Sequence, residues 1–430
     1  MNFSSFKIIF FKRKVLKIMV STKDNQTLLK NKSLRMLMVA RVSTNFSYQM
    51  LSVAIGWQMY SLTKSAFYLG LVGLVQFLPM LFLSLFVGHI SDQHDRRKII
   101  NLSQVLQSLF ISILAFGSFS QWITKERFLI IIFFIAVAHS FEGPPMQALL
   151  PNIVSKDVFP KASALISSVS EFAVIVGPAV GGILYSFGST LVYAFAAALY
   201  FISGTLISQI SMKSTKKDDY KPESSGLKTI FAGISFIKRK PIILGAISLD
   251  LFAVLFGGAT ALLPIYASSI LMIGSFGLGV LRSAPAIGAL LMSAYLAKNP
   301  LKHKVGRTMF TAVICFGLST IVFAISKSVI LSFLALFVLG ASDVVSVVIR
   351  STLVQLETPD NMRGRVSSVN MIFIGTSNQL GEFESGVTAS LLGVVNAALL
   401  GGIGTILVVI LWMKLFPSIL HVDKFQSGNN

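Results

Sequence analysis

The chain has 430 residues, of which 54% are hydrophobic and 13% charged, and its mean hydropathy of +0.76 excludes an ordinary soluble globular domain. The formal net charge of +20 does not read as nucleic-acid binding, because the bases sit in short loops between apolar runs rather than in aromatic-interleaved patches. A single cysteine, Cys315, inside an apolar run excludes an internal disulfide framework or thiolate metal site.

A hydrocarbon core about 30 Å thick needs about 20 apolar helical residues. Twelve runs meet that length, at 34–60, 67–89, 99–120, 128–150, 162–186, 190–211, 241–270, 275–297, 308–326, 329–350, 366–390 and 394–416. The expected fold is an all-α polytopic membrane protein with twelve transmembrane helices in two six-helix bundles. Before the first run, residues 1–33 are basic and hold only a four-residue apolar stretch at 8–11, too short for the core of a cleaved signal peptide. Phe3, Phe6, Phe10 and Phe11 among lysines fit an interfacial helix, and Met19 is an alternative start.

Between the second and third runs lies Gly88-His89-Ile90-Ser91-Asp92-Gln93-His94-Asp95-Arg96-Arg97-Lys98, two acids and three bases in a tight hairpin. Further on, Lys and Arg concentrate in alternate loops: eight before Leu34, three here, two after the fourth run, eight from Lys213 to Lys240, four after the eighth and two after the tenth. The other loops carry only Lys64, Lys125, Arg127 and Lys327, which predicts that both termini face the cytoplasm. The polar stretch 212–226 sits at the middle of the twelve runs and separates two bodies. After it, Leu227, Ile230, Phe231, Ile234 and Ile237 share one face of a short amphipathic helix. The organisation read from this is a basic N-terminus (1–33), one bundle (34–211), a cytoplasmic linker with its helix (212–240), a second bundle (241–416) and a tail (417–430). A weak internal repeat, 147–157 against 350–360, falls after the fourth and tenth runs and fits two parallel halves.

The hairpin spacing Gly-x-x-x-Asp-x-x-x-Arg-Arg-Lys resembles the signature loop of the major facilitator superfamily. By that resemblance Gly88, Asp92, Asp95, Arg96 and Arg97, with Arg365 at the start of the eleventh run, form a cytoplasmic gate, Asp92 lying against that helix start. The stretches 56–63, 338–350, 362–365 and 378–384 look like the branch containing enterobactin-type siderophore exporters and macrolide efflux proteins, which implies export. Gly177-Pro178-Ala179-Val180-Gly181-Gly182 resembles the end of the antiporter motif of proton-driven drug exporters. In physical terms Gly177, Gly181 and Gly182 allow close helix approach, and Pro178 removes a helix hydrogen bond. The loop after the eighth run, 298–307, has no acid, so a matching gate in the second half is not expected.

Charges inside the runs are costly, at least ~2.5–3.5 kcal/mol each, and mark a cavity, a partner or a role. They are Arg41, Glu142, Glu171, Asp250, Arg282, Asp343 and Glu382 with Glu384. Six acids against two bases in low dielectric suit proton and substrate handling. Glu382 and Glu384 cannot share a helix face, so one of them points inward, and Glu382 is the preferred one. Arg41 near a helix end also fits a snorkelling or paired structural role. Pro144 and Pro145 break the fourth helix beside Glu142, and His139 lies one turn before it.

The function expected from these features is a proton-coupled antiporter exporting a bulky organic molecule, a siderophore or drug, from the bacterial cytoplasmic membrane by alternating access. The alternative is a proton-coupled nutrient symporter, since fold does not fix direction. More remote is a membrane enzyme acting on lipid, disfavoured because the acids are scattered singly. No phosphate-binding loop is present. No cofactor or metal is expected; the partners are a small molecule, protons and the bilayer, the protein acting as a monomer.

Overall fold

The computed structural model describes residues 30–155, 157–211 and 227–425. The basic N-terminal segment and the linker 212–226 lie outside the described residues. The long helices are α1 (Lys32–Thr63), α2 (Ala66–Gln93), α3 (Arg96–Phe119), α4 (Lys125–Ser140), α5 (Phe159–Ser186), α6 (Ser189–Ser208), α7 (Pro241–Phe256), α8 (Gly274–Lys298), α9 (Val305–Ile325), α10 (Val329–Glu357), α11 (Asp360–Leu392) and α12 (Val394–Leu415). A shorter linker helix, Leu227–Arg239, precedes α7. Among the described residues, ten helical segments are long and apolar enough to cross a membrane. The two others, α1 and α11, match them in length but carry more polar side chains. Helices are what the bilayer permits, because each satisfies its own backbone groups where no water can.

Local chemistry sets the helix ends. Asn31 caps α1, its side chain accepting from the Leu34 amide at 3.2 Å, and Lys64 closes that helix in a left-handed conformation. Asp95 caps α3 by accepting from Arg97 N. Gly393, at φ +86°, alone joins α11 to α12, a conformation that glycine adopts without steric cost. Two helices are interrupted. Ahead of Pro144 and Pro145, α4 stops at Ser140 and resumes as the short helix Gly143–Gln147, and α7 gives way to a 3-10 turn (Ala259–Leu262), a short α-helical turn (Leu263–Ile265) and a π-helical turn (Tyr266–Ile270).

Helix pairing repeats along the chain. In the first half α1 packs on α5 and α6, α3 on α6 and α4, and α2 on α4; in the second α7 packs on α11 and α12, α9 on α12 and α10, and α8 on α10. The main packing between the halves is α2 on α11 and α5 on α8. Each is the other's counterpart under the same repeat. Phenylalanines such as Phe82, Phe86, Phe116 and Phe201 stay more than half exposed, as an outer surface facing lipid requires.

Candidate functional site

A cavity of about 1180 Å³ lies between the two halves, lined from the first half by Tyr48, Gln49, Gln76 and His139 and from the second by Arg282, Gln379 and Glu382. Toward the end where α1 begins it reaches Gln147, Ala148 and Ser368. At the far end bare backbones press the halves together: a Cβ built on Gly70 would lie 2.9 Å from Gly386 Cα, and one on Gly182 would lie 3.1 Å from Gly279 Cα. Tyr60 and Ser269 add a hydrogen bond of 3.0 Å across that end. On the cavity wall the Tyr48 and His139 rings stack at 5.1 Å and 16°.

Glu142 sits behind this wall, only 4% exposed. Gln104 Nε2 donates to its Oε1 at 3.0 Å and Gln107 Nε2 to its Oε2 at 2.9 Å, while His139 Nδ1 stands 3.6 Å from Oε2. Hydrogen bonds to a charged group contribute about 1.5–3 kcal/mol each and offset part of the desolvation of one carboxylate. The polar chain continues through Thr44 and Ser203, linking α1, α3 and α6. Arg41 ends beside it, donating from Nη2 to the Met146 carbonyl at 2.7 Å.

The second half is built otherwise. Asp250 of α7 forms an ion pair with Arg350 of α10, both buried. Asp343 joins Asp250, Ser342 and Ser346 on a small pocket of about 10 Å³, room for about one water. Asp250 and Asp343 therefore line this inner pocket and not the large cavity. Arg350 ends the tenth apolar run in the sequence and reads there as a boundary residue, but α10 continues to Glu357.

The remaining expected residues divide. Glu382 lines the cavity, whereas Glu384 accepts from Thr388 at 2.9 Å on its own helix. Arg282 also lines the cavity, its Nε buried without a hydrogen-bond partner. Glu171 is exposed on α5 and is not among the residues that line the cavity. Gly177 and Gly181 pack α5 on Gln49 and Met50 of α1, while Gly182 and the Pro178 carbonyl meet Gly279 of α8, so the small-residue motif sits where α5 touches both halves. Gly88 and Asp92 lie in the last turns of α2. Arg97 pairs with Asp95 at 2.7 Å and donates to the Ile210 carbonyl, and Arg96 reaches the Ala148 carbonyl at 3.4 Å. The Arg97 guanidinium holds the Asp95 carboxyl below its usual range. Arg365 lies in the first turns of α11, its backbone beneath Gly233 of the linker helix. Among the described residues no group of His, Cys, Asp and Glu is arranged to hold a metal ion.

The glutamines were not among the residues expected from sequence. Their signal was available: Gln104 and Gln107 stand three apart, on one face of an otherwise apolar helix.

A family model described as transmembrane secretion effector matches residues 25–427. Among curated proteins, the enterobactin exporter EntS of Citrobacter koseri is 25% identical over 401 residues, covering 91% of this chain and 94% of its own. EntS of Escherichia coli K12 is 24% identical over 405 residues, covering 92% and 95%. Among solved structures, a mutant of the nucleoside transporter NupG aligns with a TM-score of 0.72 at 16% identity, over 90% of this chain and all of that one. A bacterial homologue of the human lysosomal transporter Spinster, inward-facing and occupied, aligns with a TM-score of 0.70 at 12% identity, over 90% and 95%. At these identities the structures share the fold alone.

Proposed function

The chain belongs to the transmembrane secretion effector family of the major facilitator superfamily, and from that premise we propose that it exports a bulky organic molecule, of siderophore or drug type, in exchange for protons. It is an integral multi-pass membrane transporter, not an enzyme, as its relatives and structural neighbours are transporters. The observation that carries the export reading is a cavity of about 1180 Å³ shared by two repeated halves, together with likeness to enterobactin exporters along nearly the whole chain. A volume above the usual few hundred Å³ of a small-ligand pocket suits a large substrate. All twelve long helices then span the bilayer. With the termini in the cytoplasm, as the loop charges favour, the end sealed by Gly70, Gly182, Gly279 and Gly386 faces outward and the conformation is inward-facing.

Protons suffice as the driving ion. One charge crossing ~150 mV releases roughly 3.5 kcal/mol at ~2.3 kcal/mol per 100 mV, and at ~1.4 kcal/mol per tenfold that sustains a gradient of a few hundredfold. Glu382 is the acid on the wall of the shared cavity, within reach of such protons, while Glu142 and Asp343 lie enclosed within their own halves. Cells lacking the gene, grown with and without iron, provide the test. Retention of a siderophore inside the starved mutant, reversed by the plasmid-borne gene, is the expected result. Equal distribution of every metabolite in mutant and parent, or loss of uptake in the mutant, refutes export.

A further inference from the structure

Rigid rocking changes contacts between halves and preserves those within each half. A proton can drive that motion only through an acid whose surroundings differ between the two states, because a ligand bound equally by both shifts nothing. Glu142 takes its hydrogen bonds from Gln104 and Gln107 of its own half. Asp250, Arg350 and Asp343 are likewise enclosed within the second half. These groups travel with their surroundings.

Glu382 is placed differently. Its side chain lies against the bare backbone of Gly73, across the α2–α11 seam: a Cβ built on Gly73 would lie 2.9 Å from Glu382 Cβ and 3.2 Å from its Oε2. One turn further out, Gly70 meets Gly386 in the same seam. The carboxyl therefore borders the cavity on one side and the opposing half on the other. The charged and titratable groups within electrostatic reach of it are Arg282 of α8 and Tyr48 of α1. Around the contact α2 presents Gly70, Gly73 and Gln76, none of which titrates.

Building on the proton-coupled reading above, we propose that Glu382 is the acid that couples protons to alternation, and that Gly73 is the surface against which its state is read. When the halves part at the sealed end, the carboxyl loses the Gly73 backbone beside it. The proton it binds comes from, and returns to, water on whichever side the cavity then faces. A Cβ on Gly73 would crowd both the Glu382 side chain and the Gln379 carbonyl, the latter at 2.9 Å.

Spin labels at Ser155→Cys and Asn299→Cys, on exposed loops of opposite halves, would measure the cleft in full-length protein without Cys315, in lipid nanodiscs, from pH 5.5 to 8.5. A one-unit difference in proton affinity between the states changes their ratio by up to about tenfold, and the parent should show a change of that order. Glu382→Gln should abolish it, while Glu142→Gln and Asp343→Asn keep it. Gly73→Ala retains the acid but crowds it, and should move the population away from the present conformation at every pH; an unmoved population would contradict the proposal even where Glu382→Gln fails to insert. A pH response that survives in Glu382→Gln, or disappears in Glu142→Gln, overturns the assignment and leaves proton coupling standing. A parent with no pH response overturns both.

Discussion

The two halves repeat the same helix pairings but bury their acids by opposite means. In the first, Glu142 is held by neutral amides from Gln104 and Gln107, with the hydroxyls of Thr44 and Ser203 completing a network over several helices. In the second, Asp250 is matched by one guanidinium, Arg350, bridging α7 and α10. A carboxylate held by several neutral donors keeps partners when any one is lost. An ion pair leaves an unmatched charge behind when either member goes, and in low dielectric that is the costlier failure. The repeat thus fixes where a polar core is needed and leaves its chemistry free.

Breaking the ion pair gives the largest expected effect. Arg350→Met should lower stability by about 3–5 kcal/mol through the stranded Asp250, seen as a large drop in thermal unfolding temperature in detergent. Adding Asp250→Leu should recover most of the loss, because an apolar pair of similar volume is often neutral. If the single variant unfolds like the parent, the two halves do not differ in the way described.

The network in the first half should give way more gently. Gln104→Leu removes one of two amide donors and should cost about 1–3 kcal/mol, clearly less than Arg350→Met in the same unfolding assay. A larger loss than that of Arg350→Met would reverse the order of the halves.

The smallest effect belongs to an ion pair outside the bilayer. Asp95 and Arg97 are partly solvated, so Asp95→Asn should cost under about 1 kcal/mol and less at high salt. Arg97 depresses the Asp95 carboxyl. The stabilisation is therefore complete above the ordinary carboxylate range, about pH 3.9, and disappears as pH falls through the depressed value. Parent and Asp95→Asn should differ by a constant amount from pH 8 to 5 and converge in stronger acid; a difference that grew on acidification would contradict the assignment.

Much of the fold was legible because membrane helices announce themselves by apolar length. The runs at 99–120 and 190–211 correspond to Arg96–Phe119 and Ser189–Ser208, and the prolines after Glu142 interrupt α4 as proline chemistry requires. Where hydropathy thinned, boundaries slipped: α11 starts at Asp360, directly after Pro359, so Arg363 and Arg365 lie inside its first turns rather than before them. Arg350 was hidden for the same reason, since a base at the end of an apolar run looks like a boundary. Asp250 gave no hint of its partner, because α7 and α10 meet only in three dimensions. The Gly73–Glu382 contact joins positions far apart in sequence and has no signature in spacing.

The linker helix carries a consequence for biosynthesis. Ile237 is buried with Val366 and Val369 of α11, and Gly233 sits on the Arg365 carbonyl, yet roughly 120 residues separate Arg239 from Asp360. At about 5–20 residues per second the ribosome takes on the order of ten seconds to deliver that partner. Throughout the interval the helix is finished and the α11 part of its docking ground does not exist. An amphipathic segment with Phe231 still exposed in the mature fold can wait on the membrane surface. Its apolar face thus serves a nascent chain before it serves the folded one, and substitutions there should depress yield at synthesis even where they leave the assembled transporter intact.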